Sequence, residues 1–106
     1  MKRHTIQQQG IAGTLESSDV QILIDQNKAG GIDIDLSSSV EKQYGQQIRK
    51  VITDTLNHLG VTDVKLQVQD QGALDCTIVA RTIAAVHRAS DSVSNIDWEG
   101  LEEWNV

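Results

Sequence analysis

Ser17 and Ser18 are the residues whose type and position best suit chemistry. Glu16 and Asp19 flank them, and the four residues lie between two runs in which apolar side chains alternate with others. Ser and Asp side chains hydrogen-bond to nearby backbone groups and favour turns, so this stretch predicts a hairpin with Ser17 at its tip. A hydroxyl at that tip is open to covalent modification, whereas the alternative is a turn whose serines only satisfy the backbone.

The runs on either side of the two serines predict the strands of this hairpin. Before them, Ile11, Gly13 and Leu15 alternate with small or polar residues; after them, Val20, Ile22 and Ile24 alternate with Gln21, Leu23 and Asp25. A period of two is typical of a half-buried strand. A third run over 32–36 places its Ile and Leu residues on one face and two aspartates on the other. The glycine turn at 30–31 predicts that this third strand pairs antiparallel with the strand over 20–24.

The rest of the chain predicts two helices and one more strand. Ser38 and Glu41 fit a capping box at the start of the first helix. Its apolar stripe of helical period consists of Val40, Tyr44, Ile48, Val51, Ile52, Leu56 and Leu59, and Gly60 closes it. A strand is expected over 61–69. Residues 73–89 predict the second helix, although the β-branched residues at 77–79 leave open that this stretch begins as a strand.

These elements predict an α+β domain in which two helices pack on one face of a small mixed or antiparallel sheet of three to four strands. A right-handed crossover joins the strands at 32 and 64 if these run parallel, and the strand order stays open. We expect residues 1–10 to form a flexible N-terminus, 11–90 the functional domain and 91–106 an acidic C-terminal tail. Trp98 and Trp104 leave two alternatives for that tail, which is either mobile or docked on the domain or a partner.

Charge and composition argue against several classes of function. The 106 residues carry a formal net charge of −6 and no basic stripe that could bind a nucleic-acid backbone. The chain has no apolar run long enough to span a bilayer, and its first residues do not resemble a secretory segment, so we expect a cytoplasmic protein. Cys76 is the only cysteine, and its apolar surroundings predict a core position. His4, His58 and His87 lack the spacing of a metal site.

Self-contained catalysis is not expected. A serine enzyme needs a base and an orienting group beside its nucleophile, and no motif joins Ser17 to a histidine. An exposed turn also gives Glu16 and Asp19 no low-dielectric pocket in which to act as an acid and base pair. A small acidic domain with one displayed turn therefore fits a carrier, or alternatively an unmodified adaptor that binds a partner through Trp98 and Trp104.

Several motifs of the chain resemble the acyl carrier (gamma) subunit of bacterial citrate lyase. In chain order they are AGTLES at 12–17, SSVEKQYG at 38–45, GALDC at 72–76, Arg81, RAS at 88–90, and Trp98-Glu99. Each is weak alone, but together they follow the order of that family along nearly the whole chain. Two features depart from the family pattern: Ser18 directly after the motif serine, and the residues beyond Glu99. The register of the motif favours Ser17 over Ser18.

The resemblance implies that Ser17 carries phosphoribosyl dephospho-coenzyme A through a phosphodiester and that the chain is a non-catalytic carrier. It also implies that the thiol of the group holds an acetyl thioester. An alpha subunit, an acyl transferase, exchanges acetyl for citrate and releases acetate. A beta subunit, a lyase, splits the citryl thioester into oxaloacetate and the regenerated acetyl thioester. A prosthetic-group transferase, the holo-carrier synthase, attaches the group.

Glu16 and Asp19 are candidate turn-orienting residues beside the attachment serine. We expect their carboxylates to help the attaching enzyme or the partner subunits orient the turn. The alternative is that both carboxylates are simply solvated, since exposed charges usually contribute little.

Overall fold

The computed structural model describes residues 5–90, which form four strands and two helices. In chain order these are β1 (Gly10–Ala12), β2 (Val20–Asp25), β3 (Ile32–Ser38), α1 (Glu41–His58), β4 (Val64–Asp70) and α2 (Asp75–Ala89). The predicted α+β class is confirmed, with a four-stranded mixed sheet and two helices. The predicted tail over 91–106, with Trp98 and Trp104, lies outside the described residues, as does His4.

The sheet has the strand order β1-β2-β4-β3. β2 pairs antiparallel with both β1 and β4, and β3 pairs parallel with β4 across the helix that joins them. The expected pairing of β2 with β3 is wrong because β4 lies between them. The inward residues of β4, Val64, Leu66 and Val68, are at most 1 % exposed, which suits a central strand. Ile32 and Ile34 of β3 are only partly buried, as is usual at an edge.

The core lies between the helices and one face of the sheet. Alternate residues of the inner strands point into it, as the sequence predicts for β2 and β4. Buried residues of the core include Val20, Ile22, Ile24, Ile48, Ile52, Leu56, Ile78 and Val86. Tyr44 departs from the predicted helical stripe, since it is 51 % exposed in the first turn of α1. The opposite sheet face is mostly polar, with Ile11 and Leu23 as apolar exceptions, as is common when only one face of a sheet is covered.

β1 presents the opposite face from the one that its sequence suggests. Ile11 is exposed, whereas its neighbours Gly10 and Ala12 are buried. The reason is the close approach of α2: a Cβ added at Gly10 would lie 2.6 Å from both the Ala85 carbonyl oxygen and the Ala89 nitrogen. Only the smallest residues fit between this strand and the helix, so size decides the buried face and hydrophobicity does not.

The connections at the helix ends differ in part from expectation. The capping box is wrong, because α1 begins after Val40 and no side chain caps it. The Ser38 hydroxyl instead donates to the Asp70 carboxylate at 2.8 Å and accepts the Val40 N–H at 3.1 Å. Gly60 closes α1 as predicted, with φ +74° and its N–H donating to the Asn57 carbonyl. Cys76 is exposed in the first turn of α2, so its predicted core position is also wrong. The stretch from Asp75 is helical, which resolves the alternative of an initial strand.

Hydrogen bonds connect the segment before β1 to the end of α2, and the loop before β3 to the loop before β4. The backbone N–H groups of Gln7 and Gln8 donate to the Ala89 carbonyl at 2.9 and 3.0 Å, and Ile6 is 6 % exposed. The expected hairpin turn at 30–31 is instead a loop whose Gly31 N–H donates to the Asp63 carboxylate at 2.9 Å. Within residues 5–90, no helix is long and apolar enough to cross a membrane.

Candidate functional site

Ser17 lies in the connection between β1 and β2, as the sequence predicts. The Asp19 N–H donates to the Glu16 carbonyl at 3.1 Å, which closes a four-residue β-turn with Ser17 and Ser18 at its two central positions. Both serines are exposed. We refer to residues 13–19 as the serine turn. It therefore displays two adjacent hydroxyls to solvent, next to the first residue of a core strand.

The backbone at Ser18 adopts a left-handed conformation. Its φ is +65°, and it is the only described residue other than glycine with a positive φ. This conformation belongs at the second central position of a type II turn, where glycine or asparagine is usual. Such strain persists only where surrounding contacts fix it. Here the Ser18 N–H donates to the Gln71 carbonyl at 2.8 Å, and the Gln71 N–H donates to the Asp19 carbonyl at 2.9 Å.

The serine turn lies at the end of the sheet where α2 begins. Val20, the first residue of β2, pairs with Asp70, the last residue of β4. Asp70 is 1 % exposed, and its carboxylate accepts the N–H groups of Gly72 and Ala73 at 3.1 and 3.0 Å. The loop that carries Gln71 is thereby fixed to the sheet. Because Gln71 binds the serine turn, the turn is held by a rigid neighbour.

Asp19 is the centre of the polar contacts within the serine turn. Its carboxylate accepts the Thr14 hydroxyl at 2.7 Å, the Thr14 N–H at 3.1 Å and the Val20 N–H at 2.7 Å. Arg81 of α2 binds the same carboxylate with two donors, Nε to Oδ1 at 3.1 Å and Nη2 to Oδ2 at 3.0 Å. The Asp19 side chain is only 13 % exposed, so this carboxylate is committed to shaping the turn.

Glu16 differs from Asp19 in its surroundings. The Glu16 side chain is exposed, and its backbone N–H donates to the Thr14 hydroxyl oxygen at 3.2 Å. No side-chain hydrogen bond holds the Glu16 carboxylate among residues 5–90, so it faces solvent beside Ser17. The role of Glu16 and Asp19 in orienting the turn for partner proteins stays a prediction.

The pKa of Asp19 lies well below its usual range, chiefly because Arg81 donates hydrogen bonds to its carboxylate and also because Thr14 and Val20 do. A lowered folded-state pKa stabilises the fold above the ordinary carboxyl value and loses that contribution as pH falls. We expect Asp19→Asn to be less stable than the parent chain at neutral pH. The difference between them should be constant above about pH 5 and shrink below about pH 4.

Urea unfolding of both chains across this pH range measures the effect. A difference in unfolding free energy that stays the same down to about pH 3 would show that the Asp19 charge does not stabilise the fold.

The chemistry available at the serine turn is that of a nucleophile without its own base. Ser17 has no side-chain hydrogen bond to any residue in 5–90, and Asp19 is occupied by Arg81. Within the same residues, no group of three or more His, Cys, Asp or Glu side chains could hold a metal ion. The structure thus places the predicted residues Glu16, Ser17 and Asp19 in one turn. Within this turn Ser17 displays a hydroxyl to solvent, and neither carboxylate is positioned as its base.

Arg81 and Thr14 are the residues of this site whose contacts the sequence did not reveal. Arg81 binds a residue 62 positions away, a separation that no local pattern connects. One signal was present: Arg81 is the only charged residue between Asp75 and His87 in an otherwise apolar or small helix. A single charge in such surroundings usually has a partner.

Comparison with known proteins points to a family of carrier proteins. A family model described as the malonate decarboxylase delta subunit matches residues 7–89. The citrate lyase acyl carrier protein of Streptococcus mutans is 54 % identical over 101 residues, covering 95 % of this chain and 98 % of the relative. The protein of the same name from Streptococcus uberis is 55 % identical with the same coverage.

A solved structure shares the fold. It is a chain in the crystal structure of a Pseudomonas malonate decarboxylase hetero-tetramer in complex with malonate. The TM-score is 0.65 at 12 % identity, over 81 % of this chain and 88 % of that one. At this identity the likeness shows that the two chains share an architecture.

Proposed function

This chain belongs to the family of citrate lyase acyl carrier proteins, and we propose that its Ser17 hydroxyl is the attachment point of phosphoribosyl dephospho-coenzyme A. Carrier proteins of this family work within citrate lyase, carry a covalently bound prosthetic group and are not themselves enzymes.

The observation that carries this proposal is the display of Ser17 on a fixed turn. Its hydroxyl is exposed and has no hydrogen-bond partner within residues 5–90, so its replacement by an ester breaks no contact there. The turn beneath it is held by Asp19, Arg81 and Gln71. A bulky polar group fits this position because it extends into solvent and requires no cavity in the domain.

Attachment requires a base that the serine turn does not supply. When the Ser17 oxygen forms a bond to phosphorus of the activated precursor, the bond from that phosphorus to the oxygen of the precursor's leaving phosphate group breaks. The leaving group departs with the electron pair of that bond, and the Ser17 hydroxyl must lose its proton. Asp19 is engaged by Arg81, and Glu16 is exposed to solvent with no low-dielectric pocket around it. The holo-carrier synthase must therefore provide the base. The carrier is then the substrate of that enzyme and does not modify itself.

When attached, the group would supply the thiol that holds the acyl chain as a thioester for the alpha subunit, an acyl transferase, and the beta subunit, a lyase. The chain itself keeps that thiol tethered, which raises its effective concentration at both active sites. Leu15 and Leu74 are 53 % and 70 % exposed at the same end of the sheet as Ser17. They offer apolar contacts there to the alpha and beta subunits.

Cys76, the lone thiol of the chain, suits a reducing compartment, and we place this cycle in the cytoplasm.

The proposal is tested by the mass of the intact chain isolated from active citrate lyase. We expect a mass above that of the sequence by the prosthetic group and its acyl group, and a fall by the mass of the acyl group alone after treatment with neutral hydroxylamine. Chain made without the attaching enzymes is the control and should have the mass of the sequence. An active complex whose carrier has the unmodified mass would contradict the proposal.

A further inference from the structure

Polar contacts are what hold the serine turn in place. All five residues from Thr14 to Ser18 are exposed, so the turn has no buried apolar side chain of its own as an anchor. Ser18 is in a left-handed conformation that serine disfavours. Without external contacts, a turn of this composition would sample several conformations. The contacts that select one of them therefore matter for whatever reads the turn.

Arg81 joins both limbs of the turn to α2. Arg81 donates two hydrogen bonds to Asp19, in the limb that leads into β2. The same carboxylate accepts the hydroxyl of Thr14 in the other limb, so Arg81 is linked to both limbs. The arginine stem also lies along the start of the turn, where a Cβ added at Gly13 would be 3.3 Å from the Arg81 Cδ. A planar guanidinium with two parallel donors fixes orientation as well as distance.

We propose that Arg81 is a positioning residue for the modification of Ser17: it holds the serine turn in the conformation that the attaching enzyme binds, without contacting the prosthetic group. This inference rests on the proposed function of Ser17. An enzyme that binds only one conformation of the turn binds more weakly when that conformation is only partly populated, in proportion to the lost fraction. Loosening the turn therefore weakens binding of the carrier to its modifying enzyme, while bound carrier reacts normally.

The test is steady-state kinetics of attachment to the full apo chain, with purified holo-carrier synthase and the activated precursor of the group, followed by intact mass. For Arg81→Ala we expect KM for the carrier to rise by about tenfold or more with kcat nearly unchanged. The KM of Arg81→Lys should lie between those of the parent chain and Arg81→Ala, because lysine keeps the charge but loses the fork of two donors.

Arg88→Ala is the matched control. Arg88 is also an arginine of α2 and donates to the Ile11 carbonyl, but it does not contact the serine turn. It should leave KM and kcat close to the parent values. Urea midpoints and far-ultraviolet circular dichroism of each variant show that the domain is folded, and Arg81→Lys gives the comparison if Arg81→Ala does not fold.

The outcomes separate this inference from the function on which it rests. A parent chain that gains no mass would overturn the proposed function of Ser17. The positioning role alone would be overturned by a second result. In it the parent chain is modified, and the KM values of Arg81→Ala and Arg81→Lys equal that of the parent chain or change as little as that of Arg88→Ala. A fall in kcat at constant KM would also overturn it, because that result places Arg81 in the chemical step.

Discussion

Ser17→Ala should abolish both attachment of the prosthetic group and the activity of the citrate lyase complex, while the domain stays folded. The substitution removes the only atom through which the proposed ester can form. Ser17 is exposed and makes no side-chain hydrogen bond within residues 5–90, so the unfolding free energy should change by less than about 0.5 kcal/mol. Intact mass after exposure to the attaching enzymes, complex activity and urea unfolding measure the three quantities.

Ser18→Ala is the control for this prediction, since it removes the neighbouring hydroxyl from the same turn. It should be modified and active, because alanine leaves the backbone hydrogen bond from the Ser18 N–H to the Gln71 carbonyl in place. If Ser18→Ala were inactive while Ser17→Ala kept full activity, the attachment point would be Ser18 and the motif register wrong.

Gly13→Ala should be the most destabilising single change in the serine turn. Gly13 has φ +88°, and a Cβ added there would lie 1.7 Å from the Val20 carbonyl oxygen. The left-handed backbone costs a side chain about 1–2 kcal/mol, and forcing atoms into occupied space adds roughly 1–3 kcal/mol. We expect a loss of about 3 kcal/mol or more of unfolding free energy in urea, a large part of the stability of a small domain.

Gly31→Ala is its matched control, because Gly31 has a similar φ of +86° but nothing within 4 Å of the added Cβ. It should lose only the backbone contribution of about 1–2 kcal/mol. Equal losses for the two variants would show that the contact with Val20 relaxes and that the turn tolerates a side chain at Gly13. The attachment rate should fall for Gly13→Ala alone, since Gly13 belongs to the serine turn and Gly31 does not.

Local patterns predicted the elements of this fold well. The alternation in β2 and β4 and the helical periods set which residues are buried, because each pattern reflects a period that the backbone geometry imposes. The turn at Ser17 followed in the same way from residues that bind their own backbone. These are properties of neighbouring residues, and a single sequence contains them.

Contacts between distant segments were where sequence reasoning failed. The Ser38 hydroxyl donates to Asp70, 32 positions away, and α1 begins after Val40 without a side-chain cap. β3 does not pair with β2, because the chain returns through α1 and inserts β4 between them. The face of β1 was reversed because close approach of α2 to Gly10 favours small residues over apolar ones. In each case a tertiary contact overrode a local preference.

The candidate site shows the same division. The displayed serine and its flanking carboxylates were readable from the sequence, and the family resemblance selected Ser17 between two neighbours. The different surroundings of Glu16 and Asp19 were not readable, because they depend on Arg81 from the second helix. Two carboxylates that look equivalent in the sequence thus differ in the fold: one faces solvent and one shapes the turn.

Fragment mass spectrometry of the carrier from active citrate lyase tests the central claim most directly. Peptides that span residues 13–20 can be fragmented between Ser17 and Ser18, so the mass of the prosthetic group is assigned to one residue. We predict that the added mass, with the phosphodiester and a free or acylated thiol, is found on Ser17. Its location on Ser18 or on any other residue, in a complex that cleaves citrate, would contradict the account.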